Sequence, residues 1–456
     1  MPRKKIFYRH FAMDARQESF KVFMLPWLAH GHISPYLELA KRLAKRKFIV
    51  YFCSTPVNLE AIESNYLSKS YSDSIQLVKI HLQSTPELPP HYHTAKGLPP
   101  HLMPKLKDAF QMAAPNLESI LKTLNPDLLI VDILQLWMLP ISSSLNIPMI
   151  FFPIFGAITI SFLIRIVSND VRFPEFELRD YWQSKCPYLQ MDETSRQTFK
   201  QNLDQSSGII LFKSSREIET KYLEFLASSF TNKIVTTGPL LQEPACSENE
   251  KHYEIIEWLD KKELYSTVLV SFGSEYYLSK EEIEEVAHGL EISEANFIWI
   301  VRFPNGDETA VEAAVPEGFI ERSRERGKIV KGWAPQGEIL AHRSTGGHMS
   351  HCGWSSFMES LMYGVPVIGA PMQLDGPIVA RLAEEIGVGL EIKRDEEGRM
   401  MRDEIAGAIK KVLMEKSGEV FRKKAKEISS VLKEKDDEEL DTLTTELVRL
   451  CETKRT

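Results

Sequence analysis

Between Trp333 and Gly376 the chain reads WAPQGEILAHRSTGGHMSHCGWSSFMESLMYGVPVIGAPMQLDG, a stretch crowded with groups able to hold a charged, ring-bearing ligand. Trp333 follows an apolar run and opens a loop. Its indole can stack on a flat base, while Gln336 and the backbone about Ala334 bond the base's polar edge. His351 precedes Cys352, Gly353, Trp354, Ser355 and Ser356, which lead into a helical pattern from Phe357 to Tyr363. Glycine permits close backbone approach, and the free N–H groups of a helix start attract a diphosphate. Ser355 and Ser356 add hydroxyl donors or simply cap that helix. Glu359 lies one turn beyond Ser355 on the same face, where a carboxylate can accept from two ribose hydroxyls or stand as an ordinary exposed charge. Each residue has a plain structural use. Together they describe a nucleotide-sugar site, with Asp375 at its far end.

A second constellation lies near the N-terminus. Ala29-His30-Gly31-His32-Ile33-Ser34-Pro35 follows the first apolar run, and Asp132 closes another, Leu128–Val131. A histidine just after the first strand of an α/β sheet stands at the edge where ligands bind. An imidazole paired with a carboxylate is suited to taking a proton from a hydroxyl. A loop histidine is also often structural, and an Asp ending a strand can cap a helix. Two histidines at i and i+2 with one Asp are a weak basis for a metal, and no metal is expected.

The elements that must carry these groups alternate. Phe20–Trp27, Phe48–Ser54, Ile75–Leu82, Asp127–Asp132 and Ile147–Phe152 read as strands, with a helix at Ser34–Arg46 and an apolar one at Gly156–Val167. The pattern restarts with strands at Thr267–Phe272, Asn296–Arg302, Gly327–Lys331, Thr345–Met349, Pro366–Ala370 and Gly387–Lys393. Strand–helix alternation at this spacing predicts parallel sheets covered by helices on both faces. The expectation is an α/β chain of two Rossmann-like domains facing a central cleft: a disordered extension over residues 1–19, an N-terminal domain over 20–238, a polar, proline-bearing linker over 239–250 and a C-terminal domain over 251–456. The charged tail from Ser417 shows no apolar heptad and reads as a pair of solvated surface helices.

Bulk properties narrow the function. A chain of 456 residues exceeds one ordinary core. Its formal net charge of -8 offers no global attraction for nucleic acid or anionic lipid, so any phosphate must be bound locally. Five scattered cysteines with no CxxC pair argue against a disulfide framework or zinc site and for a reducing compartment, the cytoplasm. The basic N-terminus lacks an apolar h-region and reads as an extension before Met13. Ile147–Ile164 is almost wholly apolar, but Pro148 and Pro153 divide it into a buried strand and a helix rather than a membrane span.

The box from Trp333 to Gly376, with its Trp-x-x-Gln, His-Cys-Gly-Trp-x-Ser and Glu-x-x-x-x-Gly-x-Pro elements, closely resembles the signature of plant secondary-product UDP-glycosyltransferases. The likeness runs from about Phe20 onward and includes the Phe272-Gly273-Ser274 turn, which it places near the diphosphate. It implies a GT-B fold, with a UDP-sugar, UDP-glucose by expectation, held by the C-terminal half and a small-molecule acceptor by the N-terminal half. His32 then matches the family's base, His30 stands by, and Asp132 matches the residue that orients the base. The implied reaction is a single inverting displacement: His32 takes the acceptor's proton, and UDP leaves with its charge held by the helix start, His351 and Ser274. The protein is expected to act as a monomer.

Three positions depart from the pattern. Ser355 replaces the usual Asn, Gly376 the usual closing Gln, and Phe155-Gly156 lies where many members carry Ser or Thr near the donor sugar. The wording of SFGSEYYLSKEEIEEVAHGLE, IWIVRFP and SHCGWSSFMESLMYGVP looks most like the branch that extends sugars already attached to an aglycone. Ile147–Val167 and Leu134–Leu139 would line its acceptor cleft, suited to a terpenoid or flavonoid glycoside. Transfer to a bare aglycone, or UDP binding with little transfer, stand as the alternatives.

Overall fold

The computed structural model describes residues 19–65, 67, 69–168, 173, 176–241, 250–273, 276–303 and 311–455. The N-terminal extension, most of the linker, Cys246 and Ser274 lie outside them. The strands are β1 (Lys21–Leu25), β2 (Ile49–Ser54), β3 (Ile75–Lys79), β4 (Leu128–Val131), β5 (Met149–Phe151), β6 (Ile209–Phe212), β7 (Lys233–Thr236), β8 (Thr267–Ser271), β9 (Asn296–Val301), β10 (Gly327–Lys331), β11 (Thr345–Ser350), β12 (Val367–Gly369) and β13 (Gly389–Glu391).

They form two all-parallel sheets, in the orders β3-β2-β1-β4-β5 and β10-β9-β8-β11-β12-β13, and a short β6-β7 pair. Both large sheets reverse direction of growth at one point, between β1 and β4 in the first and between β8 and β11 in the second. That is the doubly wound arrangement, whose ligand crevice opens at the carboxyl ends of the strands flanking the reversal. The sequence reading missed β6 and β7. Two serines join the pair to β5: Met149 N–H donates to Ser207 Oγ at 3.0 Å and Phe151 N–H to Ser206 Oγ at 3.1 Å.

Both faces of the first sheet are covered at its inner strands, which is why β1 and β4 read as almost unbroken apolar runs. Phe23, Leu25, Leu129 and Val131 point into one apolar cluster; Val22, Met24, Leu128 and Ile130 point into another. The first cluster continues without a break into Trp354, Phe357, Ile378 and Leu382 of the second lobe. The two lobes therefore share a core on one side of the cleft.

Two expectations about helices change. The first helix spans His30–Lys45, beginning four residues before Ser34. The turn is already closed upstream of Ser34, with the N–H groups of His32 and Ile33 donating to the Ala29 carbonyl at 3.0 and 2.9 Å. His32 thus sits in a helical first turn rather than in a loop. The tail is one continuous helix, Lys416–Arg455, not a pair of solvated ones. Its Leu440, Leu443, Leu447 and Leu450 are buried in the core of the first sheet. Spacing of three, four and three residues aligns them on one stripe, and the burial is worth about 2 kcal/mol per leucine. Flanking ion pairs, Arg42–Asp436 at 2.6 Å and Arg455–Asp127 at 2.7 Å, tie the same helix to the N-terminal lobe.

The apolar stretch after β5 becomes the helix Ala157–Ser168, with Ile158, Ile160, Leu163 and Ile164 buried in the core. Among the described residues no helix is long and apolar enough to cross a membrane, and no group of three His, Cys, Asp or Glu side chains could hold a metal ion. Cys53, Cys186, Cys352 and Cys451 are buried free thiols.

Candidate active site between two sheet edges

The carboxyl ends of both sheets border one cleft of 270 Å³. On its N-terminal wall, β1 and β4 lie side by side, with Leu25 in register with Val131. The helix that follows β1 presents His32, and Asp132 is the first residue after β4. Their side chains meet, His32 Nδ1 to Asp132 Oδ2, at 2.6 Å. A carboxylate only accepts, so Nδ1 carries the proton and Nε2 is the basic nitrogen. Asp132 is fully buried and further held by the N–H groups of Leu134 at 3.0 Å and Trp27 at 3.4 Å. Phe155 packs edge-on against the imidazole, centroids 6.0 Å apart, and with Ile154 it is the part of the apolar stretch that reaches the cleft.

The C-terminal wall is built from the ends of four strands. Gly273 follows β8, Arg302 follows β9, Trp333 follows β10 and His351 follows β11; all four line the cleft. Trp333 remains 43% exposed, so its ring is accessible to a ligand. Arg302 lies over that ring at 4.9 Å, and His30 meets its edge at 5.1 Å across the cleft. His30, expected to stand by, is thus a contact between the lobes. Gln336 opens the helix Gln336–Ala341 and turns its amide inward. It accepts from Ser271 Oγ at 2.9 Å and donates to Glu359 Oε2 at 2.6 Å, holding the carboxylate in place. Burial raises the Glu359 acid above its ordinary value, opposed by Gln336 and Lys213.

His351 sits between two glycines. A Cβ on Gly273 or Gly353 would fall 2.6 or 2.5 Å from its ring, so neither position admits a side chain without displacing the imidazole. Burial, helped by Arg302, pushes the His351 pKa down to about 4. At neutral pH it therefore offers a neutral imidazole rather than positive charge. Ala334, Gly353, Ser355, Ser356 and Asp375 also line the cleft. Trp354 lines it too, with its ring buried between the lobes and Nε1 donating to the Lys213 carbonyl at 2.5 Å.

The departures acquire steric reasons. Gly156 faces Trp354, and a Cβ there would lie 2.8 Å from the indole. Gly376 begins the helix Gly376–Glu385 against the chain of β11's end, where a Cβ would come within 2.7 Å of the His351 carbonyl oxygen. The backbone here is closer than a larger residue tolerates.

Arg302 and Lys213 are among the cleft residues that the sequence reading did not single out. Lys213 directly follows β6, is 3% exposed, and donates from Nζ to Ser355 Oγ at 2.9 Å. Burial pushes its pKa down to about 8, with Glu359 and Glu38 opposing. The available signal was a lysine closing an apolar strand run, Ile209–Phe212, at a carboxyl edge.

Two doubly wound sheets with a buried His–Asp pair on one wall and a ring, a helix start and a carboxylate on the other define the GT-B class of glycosyltransferase. Solved structures agree on the fold: the chain superposes on Glycyrrhiza uralensis UGT73P12, complexed with glycyrrhetinic acid 3-O-monoglucuronide, with a TM-score of 0.82 over 96% of both chains at 23% identity. Residues 18–242 match the family model "Glycosyltransferase, N-terminal domain", and residues 245–444 match "UDP-glucoronosyl and UDP-glucosyl transferase". Among named relatives, a mogroside IIIx synthase of Siraitia grosvenorii is 52% identical over 96% of this chain and 94% of its own length. A β-D-glucosyl crocetin β-1,6-glucosyltransferase of Gardenia jasminoides is 48% identical over 94% of this chain and 98% of its own. The chain belongs to the plant UDP-glycosyltransferase family and is a UDP-dependent glycosyltransferase.

Proposed function

We propose that the enzyme moves glucose from UDP-glucose to a sugar hydroxyl of a small-molecule plant glycoside, with inversion at the anomeric carbon. The observation that carries this reading is near full-length likeness to transferases such as the Gardenia β-1,6-glucosyltransferase, whose name places the new bond on an existing glucosyl group. His32 is the base: Nε2 accepts the acceptor's proton as its oxygen forms the new bond to the anomeric carbon. The bond from that carbon to the diphosphate breaks, and its electron pair leaves with UDP. Positioned base catalysis of this kind contributes roughly 10²–10⁴-fold. Asp132 fixes the tautomer and stabilises the imidazolium that forms.

Trp333, Ala334 and Gln336 form the base subsite, Glu359 takes the ribose hydroxyls, and Gly353, Trp354, Ser355, Ser356 and His351 surround the diphosphate. Ser274 belongs to the same subsite by the family likeness. Asp375 is assigned to the donor sugar. Domains over 20–238 and 251–456, joined by 239–250, cytoplasmic residence and a monomeric state complete the proposal.

A mass-spectrometric screen of UDP-glucose, UDP-xylose and UDP-rhamnose against aglycones and their glucosides tests it. Product formation from UDP-glucose and a glucoside supports the reading; glycosylation of aglycones alone removes the sugar-extending assignment.

A further inference from the structure

Lys213 is a buried ammonium whose surroundings are unbalanced. It has three donors, and among the described residues its one hydrogen bond goes to a neutral hydroxyl, Ser355 Oγ at 2.9 Å. The two carboxylates whose fields reach it are engaged elsewhere. Glu38 pairs with Lys41 at 2.9 Å, and Glu359 accepts from Gln336 at 2.6 Å. A charge removed from water without a counter-ion is costly, and such a group is retained where a ligand supplies the partner. Lys213 also lines the cleft beside the first turn of the helix Trp354–Tyr363, whose free N–H groups favour an anion. His351, across that turn, is neutral at pH 7 and adds no charge.

We propose that Lys213 is the N-terminal lobe's cation for the donor diphosphate, so that the phosphate charge is held from both lobes at once. Its backbone carbonyl accepts from Trp354 Nε1 at 2.5 Å, and this bond anchors the strand end that carries the ammonium to the phosphate-facing helix. A bound donor then engages both walls at once, and the base on one wall meets the anomeric carbon held by the other. UDP carries more charge as a leaving group than the donor does when bound, so the ammonium favours departure as well as binding.

The inference rests on the UDP-sugar reading, and one calorimetric series separates the two. Wild-type enzyme is titrated with UDP and with uridine, then Lys213→Met, Lys213→Gln and Lys213→Arg are treated alike. The expected result is UDP affinity at least tenfold weaker in the Met and Gln variants, uridine affinity unchanged, and UDP binding largely kept by Arg. The ratio of the two affinities is insensitive to the fraction of folded protein. Wild-type chain carrying ¹³C at the lysine ε position supplies a readout independent of any substitution: a lysine resonance should move with UDP and not with uridine. An unchanged UDP-to-uridine ratio in Lys213→Met, or the absence of any such resonance, overturns the role of Lys213. Wild-type enzyme that binds no UDP overturns the underlying reading instead.

Discussion

The two walls of the cleft handle polar chemistry in opposite ways. On the N-terminal wall, Lys213 apart, it centres on one pair, His32 and Asp132, joined at 2.6 Å over a fully buried carboxylate. On the C-terminal wall it is spread along the ends of four strands, from a half-exposed Trp333 to a buried Asp375. The difference fits the tasks proposed for the two walls. A proton transfer needs one nitrogen at one tautomer, and a buried partner fixes both. Holding a nucleotide-sugar needs many modest contacts distributed over its length, left accessible until the ligand arrives.

That contrast predicts unequal consequences. His32→Ala should lower transfer by about 10²–10⁴-fold while leaving UDP affinity as in wild type, because the imidazole is proposed to act on the acceptor's proton and not to hold the donor. Stopped-assay turnover with a UDP titration checks it, and turnover within a few-fold of wild type would take the base's role from His32. Next in size comes the helix that links the walls from behind. Leu443→Ala should cost about 2–5 kcal/mol of stability, since Leu443 is fully buried against the first sheet. A melting curve unchanged from wild type would mean the helix stripe contributes nothing to that lobe.

On the donor wall the effects should be smaller and confined to binding. Glu359→Gln should weaken uridine and UDP together by about 1.5–3 kcal/mol, the worth of a charged hydrogen bond, with the turnover of bound donor little altered. Weakening of UDP alone would move Glu359 from the ribose to the phosphates. Gly376→Gln, which restores the family's usual residue, should lower stability by about 1–3 kcal/mol and reduce activity with UDP-glucose, because its Cβ would meet the His351 carbonyl at 2.7 Å. Higher activity with an unchanged melting temperature would show that the loop yields and that the glutamine contact is simply missing.

Much of this was legible before the fold was known. The strands of both large sheets lie within the expected runs, give or take a residue or two at their ends. Burial on both faces demands unbroken apolar segments, which stand out in any sequence. The strands β6 and β7 were missed because each short apolar run is hemmed by serines, lysine and threonine. The tail deceived for a different reason: abundant charge on its solvent side hid leucines spaced for a single buried stripe.

The sequence alone determined the family, the alternating architecture and the residues of the box, because motif spacing and strand patterning are local properties written in neighbouring letters. Pairing His32 with Asp132 directly, bringing His30 onto Trp333, pressing Gly376 against His351 and delivering Lys213 to Ser355 were decided only by tertiary structure. Each joins residues whose meeting depends on strand order and lobe packing. No local pattern records which strand ends become neighbours, and a single lysine at the end of an unrecognised strand announces nothing until the opposite wall is in place.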